Sequence, residues 1–180
     1  MKSISIDKVT RLINCGQVIL ITVGFENKFT IATCAWQMPV SKEPPLLAIA
    51  LAKKHFSSQL ILKSKEFAIN IPDWQLLDKV MLCGSISGRK IDKFDYAQLT
   101  KAKSKYLKYT PLIKECVGNI ECDLAETKEI GDHYIFIGKP LYAKVKEQYF
   151  LEDFWDTTKV NLIFHLGSKF FFKSSPYISL

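Results

Sequence analysis

The sequence predicts a mainly β fold, an antiparallel barrel that carries helical insertions. Three observations lead there. Apolar and β-branched runs recur along the chain and are joined by short turns. Only two segments read as helices. The alternating strand–helix rhythm of a dinucleotide-binding sheet is missing, and so is its G-x-G-x-x-G turn.

The first strand is "QVILITVGF" (17–25), bounded by "ENK" as a tight turn. "FTIATCAWQM" (29–38) returns antiparallel to it. "PLLAIALA" (45–52) is apolar at nearly every position, which suits a strand covered on both sides. Ser57 is placed to cap a short helix, "SQLILKSK", before the strand "EFAINI" (66–71) stops at Pro72. A second helix covers "WQLLDKVMLC" (74–83), and "GSISGRKIDKF" (84–94) follows as a loop. "KAKSKYLK" (101–108) reads as a solvated loop. Two long strands, 117–130 and 133–147, flank a turn at Gly131-Asp132, and 162–173 supplies the last strand. There is no linker, repeat or low-complexity tract, so residues 1–180 read as one domain.

Composition narrows the function classes. Of 180 residues, 48% are hydrophobic and 12% aromatic, which excludes a disordered chain. No apolar run reaches the roughly 18 residues of a membrane span, and the N-terminus lacks a signal-peptide pattern. A soluble, cytoplasmic protein with no membrane partner is expected. Five cysteines (15, 34, 83, 116, 122) form no C-x-x-C pair, and the three histidines are scattered, so neither a disulfide scaffold nor a metal site is expected. The net charge of +7 comes from 25 cations of which only Arg11 and Arg89 are arginines. Arginine is the commoner reader of base edges, so nucleic acid is not expected as a partner. A general basic surface suits anionic small molecules or an acidic protein equally.

The chemistry gathers where a hydroxyl-bearing strand precedes a cationic loop. Thr30 and Thr33 offer donors and acceptors along a barrel edge. Lys53, Lys54, His55 and Ser57 offer charge and hydrogen bonds one strand later. Oriented N–H groups at a helix start near Ser57 favour a phosphate. A flat aromatic ligand with a phosphate tail satisfies both ends. A half-buried strand followed by a solvated turn accounts for the same residues.

The order of motifs resembles the flavin reductase-like FMN-binding split barrels, and within them the flavoredoxin-type branch. The matching pieces are "TIATCAW", "PVSKEPPLLAIAL", "KKHFSSQLI", "EFAINIP", "CGSISGRKIDKF", "PLIKEC…NIEC", "GDHYIFIG" and "HLGSKFF", in register from about residue 16 to 172. The resemblance implies a six-stranded antiparallel Greek-key split barrel with helical insertions. It also implies a homodimer with FMN at the dimer interface. Thr30, Ala32, Thr33, Cys34, Ala35 and Trp36 then correspond to the strand that faces the isoalloxazine edge. Lys53, Lys54, His55, Phe56 and Ser57 match the phosphate-side loop. Ser87, Gly88, Arg89, Lys93 and Phe94 match a second loop near the cofactor, and His165 lies on a strand that approaches the flavin. Relatives often carry Asn at Thr30 and Ser at Ala35, so side-chain contacts to the ring are thinner here, and "ENK" lacks their glycine.

Flavin carries the redox chemistry itself, so no catalytic side chain and no metal is required. The function implied is an oxidoreductase that passes a hydride from NAD(P)H to FMN. The alternative is an electron-transfer flavoprotein working with a redox protein; a flavin-free binding barrel is a third class. Trp36 and His165 each allow a packing role or a place beside the ring. Cys34 and His133 read as structural.

Overall fold

A computed structural model describes residues 2–14 and 16–178, so Cys15 lies outside the described residues. The chain is mainly β. One sheet of seven strands has the order β2-β1-β5-β8-β9-β4-β3, with every neighbouring pair antiparallel. Its strands are β1 (Ile19–Phe25), β2 (Lys28–Cys34), β3 (Gln37–Lys42), β4 (Pro45–Ala52), β5 (Glu66–Ile71), β8 (Gly118–Ile130) and β9 (His133–Val145). Two short pairs lie outside it: β6 (Lys101–Ala102) with β7 (Leu112–Ile113), and β10 (Ile163–Gly167) with β11 (Phe170–Lys173).

In place of the six strands expected of the split barrel, the main sheet has seven strands in an open ladder. The cause is local. The run 29–38 breaks at Ala35-Trp36, so β2 ends one edge of the sheet and β3 begins the other. The sheet still curls until these regions meet: Ala50 N–H donates to the Trp36 carbonyl at 2.8 Å, and the Cys34 thiol reaches the Trp36 and Ala50 carbonyls.

β1 explains why the fold has two cores. All its residues but the last are buried. Ile19, Ile21 and Val23 face the interior of the curl with Ile49, Phe67, Phe136 and Leu60 and Ile61 of helix α1 (Phe56–Ser64). Leu20 points the other way, into a second core with Val80 of helix α2 (Leu77–Ser85) and Phe94 of the short helix α3 (Lys93–Tyr96). A continuous apolar strand needs cover on both faces, and the helices supply the outer one.

Three local readings change. Ser57 is not the helix cap; α1 begins at Phe56 after His55, and Ser57 is buried within the first turn. The last strand is a hairpin, turned by Gly167 at φ 131° and Ser168 at φ 52°. The 101–108 stretch has a solvated side-chain face, but its backbone is gripped from below. The buried Glu121 carboxylate accepts the N–H groups of Lys105, Tyr106 and Leu107, and the buried Glu66 carboxylate accepts those of Lys108, Tyr109 and Thr110. Asn70 performs the same service one layer over, accepting from Ile113 N–H and from Asn119 while donating to the Leu20 carbonyl.

Replacing Glu121 by Ala strands three backbone donors, and each unsatisfied buried group costs about 1–3 kcal/mol. Glu121→Ala is expected to lower stability by at least about 3 kcal/mol, while Glu121→Gln, which keeps one acceptor oxygen, loses less. Urea unfolding checks this, with a fall in midpoint at unchanged slope as the expected result.

Candidate functional site

Two clefts meet at Thr33 and His55. The first, about 410 Å³, lies between β2, the start of α1 and the segment that follows α2. Thr30, Ala32 and Thr33 reach it from the strand, and Lys54, His55, Phe56 and Ser57 from the helix start. Ser87, Gly88, Arg89 and Lys93 close the third side. The second cleft, about 470 Å³, holds Cys34, Ala35, Trp36 and His165.

Lys53 and Phe94, grouped with the site in the sequence, line neither cleft. Lys53 N–H donates to the Asp132 carbonyl at 3.0 Å, which turns its side chain over the β8–β9 hairpin to pair with Glu129. Phe94 is 1% exposed and meets Phe29 edge-on in the second core.

The first cleft gathers positive groups at the start of α1. The opening N–H groups of a helix lack intrahelical acceptors, and the His55 side chain makes no capping bond to those of α1. Arg89 Nη1 donates to the Lys54 carbonyl at 3.2 Å, and its guanidinium lies 5.5 Å from the Phe56 ring centre. One flexible cation, Arg89, is thereby held beside the positive end of a helix dipole, and Lys54 lines the same cleft. His55 registers this field. Partial burial pushes its pKa below the ordinary value, and the charges of His133, Lys54, Lys93 and Arg89 push it further.

The walls are set by short contacts. A Cβ on Gly88 would lie 2.0 Å from Thr30 Oγ1, so only glycine lets the loop rest on the strand there. The Thr33 hydroxyl donates to the Val80 carbonyl at 2.8 Å. Lys93, nearly buried, donates to the Ile31 carbonyl at 2.8 Å and to the Cys83 carbonyl. Desolvation holds its ammonium below the usual lysine range.

The second cleft contains residues that sequence reading left aside. Trp36 Nε1 donates to Asn14 Oδ1 at 2.8 Å, and Asn14 Nδ2 faces His165 Nδ1 at 3.5 Å. His165 Nε2 lies 3.0 Å from the Ser168 carbonyl, which places the ring proton on Nε2 and leaves Nδ1 as acceptor. His133, read as structural, lies on this cleft's wall; its ring centre is 5.0 Å from that of Trp36 and its Nδ1 is 2.7 Å from Asp132 Oδ1. The Gly-Asp turn before His133 was its only signal. Asn14 meets Trp36 just beyond the open end of the β1–β2 hairpin, whose register pairs Ile19 with Cys34. Burial pushes the thiols of Cys34 and Cys83 up to about 11, which leaves them unreactive near neutral pH. Among the described residues, no three His, Cys, Asp or Glu side chains are gathered to hold a metal ion, and no helix is long and apolar enough to cross a membrane.

Comparison with known proteins places this geometry in a lineage. Residues 12–162 match the flavin reductase like domain. An uncharacterized protein of Archaeoglobus fulgidus is 37% identical over 124 residues, covering 69% of each chain. The uncharacterized protein YddH of Escherichia coli is 31% identical over 98% of this chain and 96% of its own length. The crystal structure of a flavoredoxin from Methanosarcina acetivorans superimposes with a TM-score of 0.84 at 26% identity, covering 100% of this chain and 95% of that one. The chain belongs to the flavin reductase like domain family.

Proposed function

We propose that this chain is an FMN-binding oxidoreductase that passes a hydride from NAD(P)H to flavin. The observation that carries the reading is the uncapped start of α1, flanked by Lys54 and Arg89, in a cleft whose other wall is the Thr30–Thr33 strand. This donor set suits a phosphate monoester, which carries about −1.5 to −2 charges near neutral pH. Lys54, Arg89 and the first N–H groups of α1 would hold that phosphate. The strand from Thr30 to Trp36 and the adjoining second cleft would hold the ring. Bound flavin supplies the redox chemistry, and the protein supplies orientation and electrostatics. Lys93 contributes a fixed cation next to the strand, which favours negative charge arriving on a neighbouring ring. His165 and Asn14 hold the Trp36 edge of the cleft in place.

The site extends to a second copy of the chain in this reading. The 3-10 helix Ile6–Leu12 buries none of its residues, and Ile6, Leu12 and Ile13 are exposed. Ile13, with Trp36 and Met38, borders an apolar groove of about 380 Å³. Trp36 lines both this groove and the second cleft, so a homodimer contact here would complete the site. An electron-transfer role with an acidic redox protein is the second reading, favoured by the likeness to a flavoredoxin and by the charge of +7.

Gently purified protein is expected to be yellow and to quench added FMN fluorescence at micromolar levels; colourless protein without quenching would refute the assignment. Lys54→Ala and Arg89→Ala are each expected to weaken FMN by about 1.5–3 kcal/mol and riboflavin much less. Lys53→Ala, paired away to Glu129, is expected to leave both nearly unchanged. Calorimetric titration of the two ligands reads the difference.

Anaerobic stopped-flow mixing with NADH and NADPH separates the two roles. Bleaching of the flavin band within seconds is the result expected of a reductase. A flavin that stays oxidised with both nucleotides, yet is reduced rapidly by a low-potential protein donor, would assign the chain to electron transfer.

A further inference from the structure

The outer face of the sheet carries a basic platform that the flavin reading leaves without a role. Between Gln98 and Glu115 the chain has five lysines and no acidic residue. The two carboxylates beneath this stretch, Glu66 and Glu121, are buried and already engaged by the N–H groups of residues 105–110, at 2.7–3.3 Å. Leu107 is buried with Ala68 and Leu112, and the Ser104 hydroxyl donates to the Thr110 carbonyl across the base of the loop. The backbone is therefore fixed, while Lys103, Lys105 and Lys108 are exposed.

Strand β9 extends the platform. Its register sets Tyr142 opposite Glu121 and Lys144 opposite Asn119, so both share the face on which the loop lies. The Tyr106 and Tyr142 rings are 6.0 Å apart, and Lys105 Nζ lies 5.2 Å from the first ring centre and 4.6 Å from the second. Among the described residues, none of Lys103, Lys105, Lys108 and Lys144 is in an ion pair. None of these six residues lines either cleft of the candidate site or the groove beside Trp36.

The chemistry of this face selects its occupant. Lys105 already occupies both tyrosine rings, which takes away the open stacking surface that single-stranded nucleic acid needs. The lysines also lack arginine's fork for base edges. None of the six residues is aliphatic, as a surface that enters a bilayer would require. Two copies of this chain joined here would set lysine against lysine. What the face offers is ammonium groups and phenol hydroxyls, all able to donate. Carboxylates are their complement, and opposite charge steers and registers such a contact. The fixed backbone lowers the ordering cost of binding. We propose that this face docks an acidic segment of a partner protein, its carboxylates meeting the four lysines and Tyr106, which is 57% exposed among them. Docking there leaves the flavin clefts open, so the contact serves a reductase and an electron carrier alike.

The test is an anisotropy titration of a fluorescein-labelled oligoglutamate peptide with the full chain at low salt. Lys103→Gln/Lys105→Gln/Lys108→Gln removes charge from the platform. Lys42→Gln/Lys169→Gln/Lys173→Gln removes the same charge from β3 and the β10–β11 hairpin; all six lysines are exposed, so both variants keep the fold, which unchanged urea midpoints check. The wild type is expected to bind the peptide, less tightly as salt rises. The platform variant is expected to bind at least about fivefold more weakly and the control to change by less than about twofold. Tyr106→Phe, which keeps the ring and loses only the hydroxyl, is expected to weaken binding about twofold. Equal weakening by the two triple variants overturns the proposal, because the general field would then explain the binding. Wild-type protein that does not bind the peptide overturns it too. Tighter binding of oligothymidylate, or of phosphatidylserine vesicles, that is lost in the platform variant assigns the face to nucleic acid or to a membrane and also overturns the proposal.

Discussion

The cleft depends on the buried ammonium of Lys93. It stands on α3 and donates to the Ile31 carbonyl of β2 and the Cys83 carbonyl of α2, so one group ties three elements. Both acceptors are available for structural reasons. Cys83 lies in the last turn of α2, where carbonyls lack intrahelical partners and the helix dipole favours a cation. Ile31 belongs to an edge strand, which has ladder pairing on one side only. Burying a charge is costly unless its donors are satisfied, and the lowered lysine pKa records that cost. The two carbonyls fix the end of α2 relative to α3, and the apolar contacts of Val80 and Phe94 with Leu20 hold the pair on the sheet.

The same bond closes a ring from Cys83 to Lys93 and sets the loop within it. Gly88 rests directly on Thr30, and Arg89 reaches across to the Lys54 carbonyl. A loop pinned at its base, middle and tip presents its guanidinium at a defined place beside the start of α1. The His55 pKa is lowered mainly by its partial burial and further by the neighbouring positive groups. In general, a cluster of positive groups is relieved by an anion bound among them.

The outer face of the sheet is stabilised by a related device with the signs exchanged. Glu66 and Glu121 are buried acceptors for six backbone donors of the 105–110 loop. This frees the lysine and tyrosine side chains of that loop to face solvent while its backbone stays fixed. Charge–backbone bonds thus position both segments that cover the outer face of the sheet, while α1 covers the inner face through apolar contacts.

Much of this was legible from residue order. The runs 17–25, 45–52 and 66–71 became strands within a residue or two because β-branched apolar stretches bounded by turn residues have little alternative. The turn at Gly131-Asp132 was also readable, and of the residues grouped as a site (30–36, 53–57, 87–89, 93–94) the first cleft gathers 30–33, 54–57, 87–89 and 93. What only the tertiary structure decided is direction and destination. Lys53 and Lys54 are indistinguishable as letters, yet backbone pairing with Asp132 sends Lys53 to Glu129 and leaves Lys54 in the cleft. His133 and Asn14 entered the second cleft through contacts more than twenty residues long in sequence, Asn14 to Trp36 and His133 to Trp36. The sequence by itself determined the strands, the turns and the supply of charge, because those follow from neighbours along the chain. The curl of the sheet, the seventh strand and the aim of each side chain came from packing between residues distant in sequence, which no local pattern encodes.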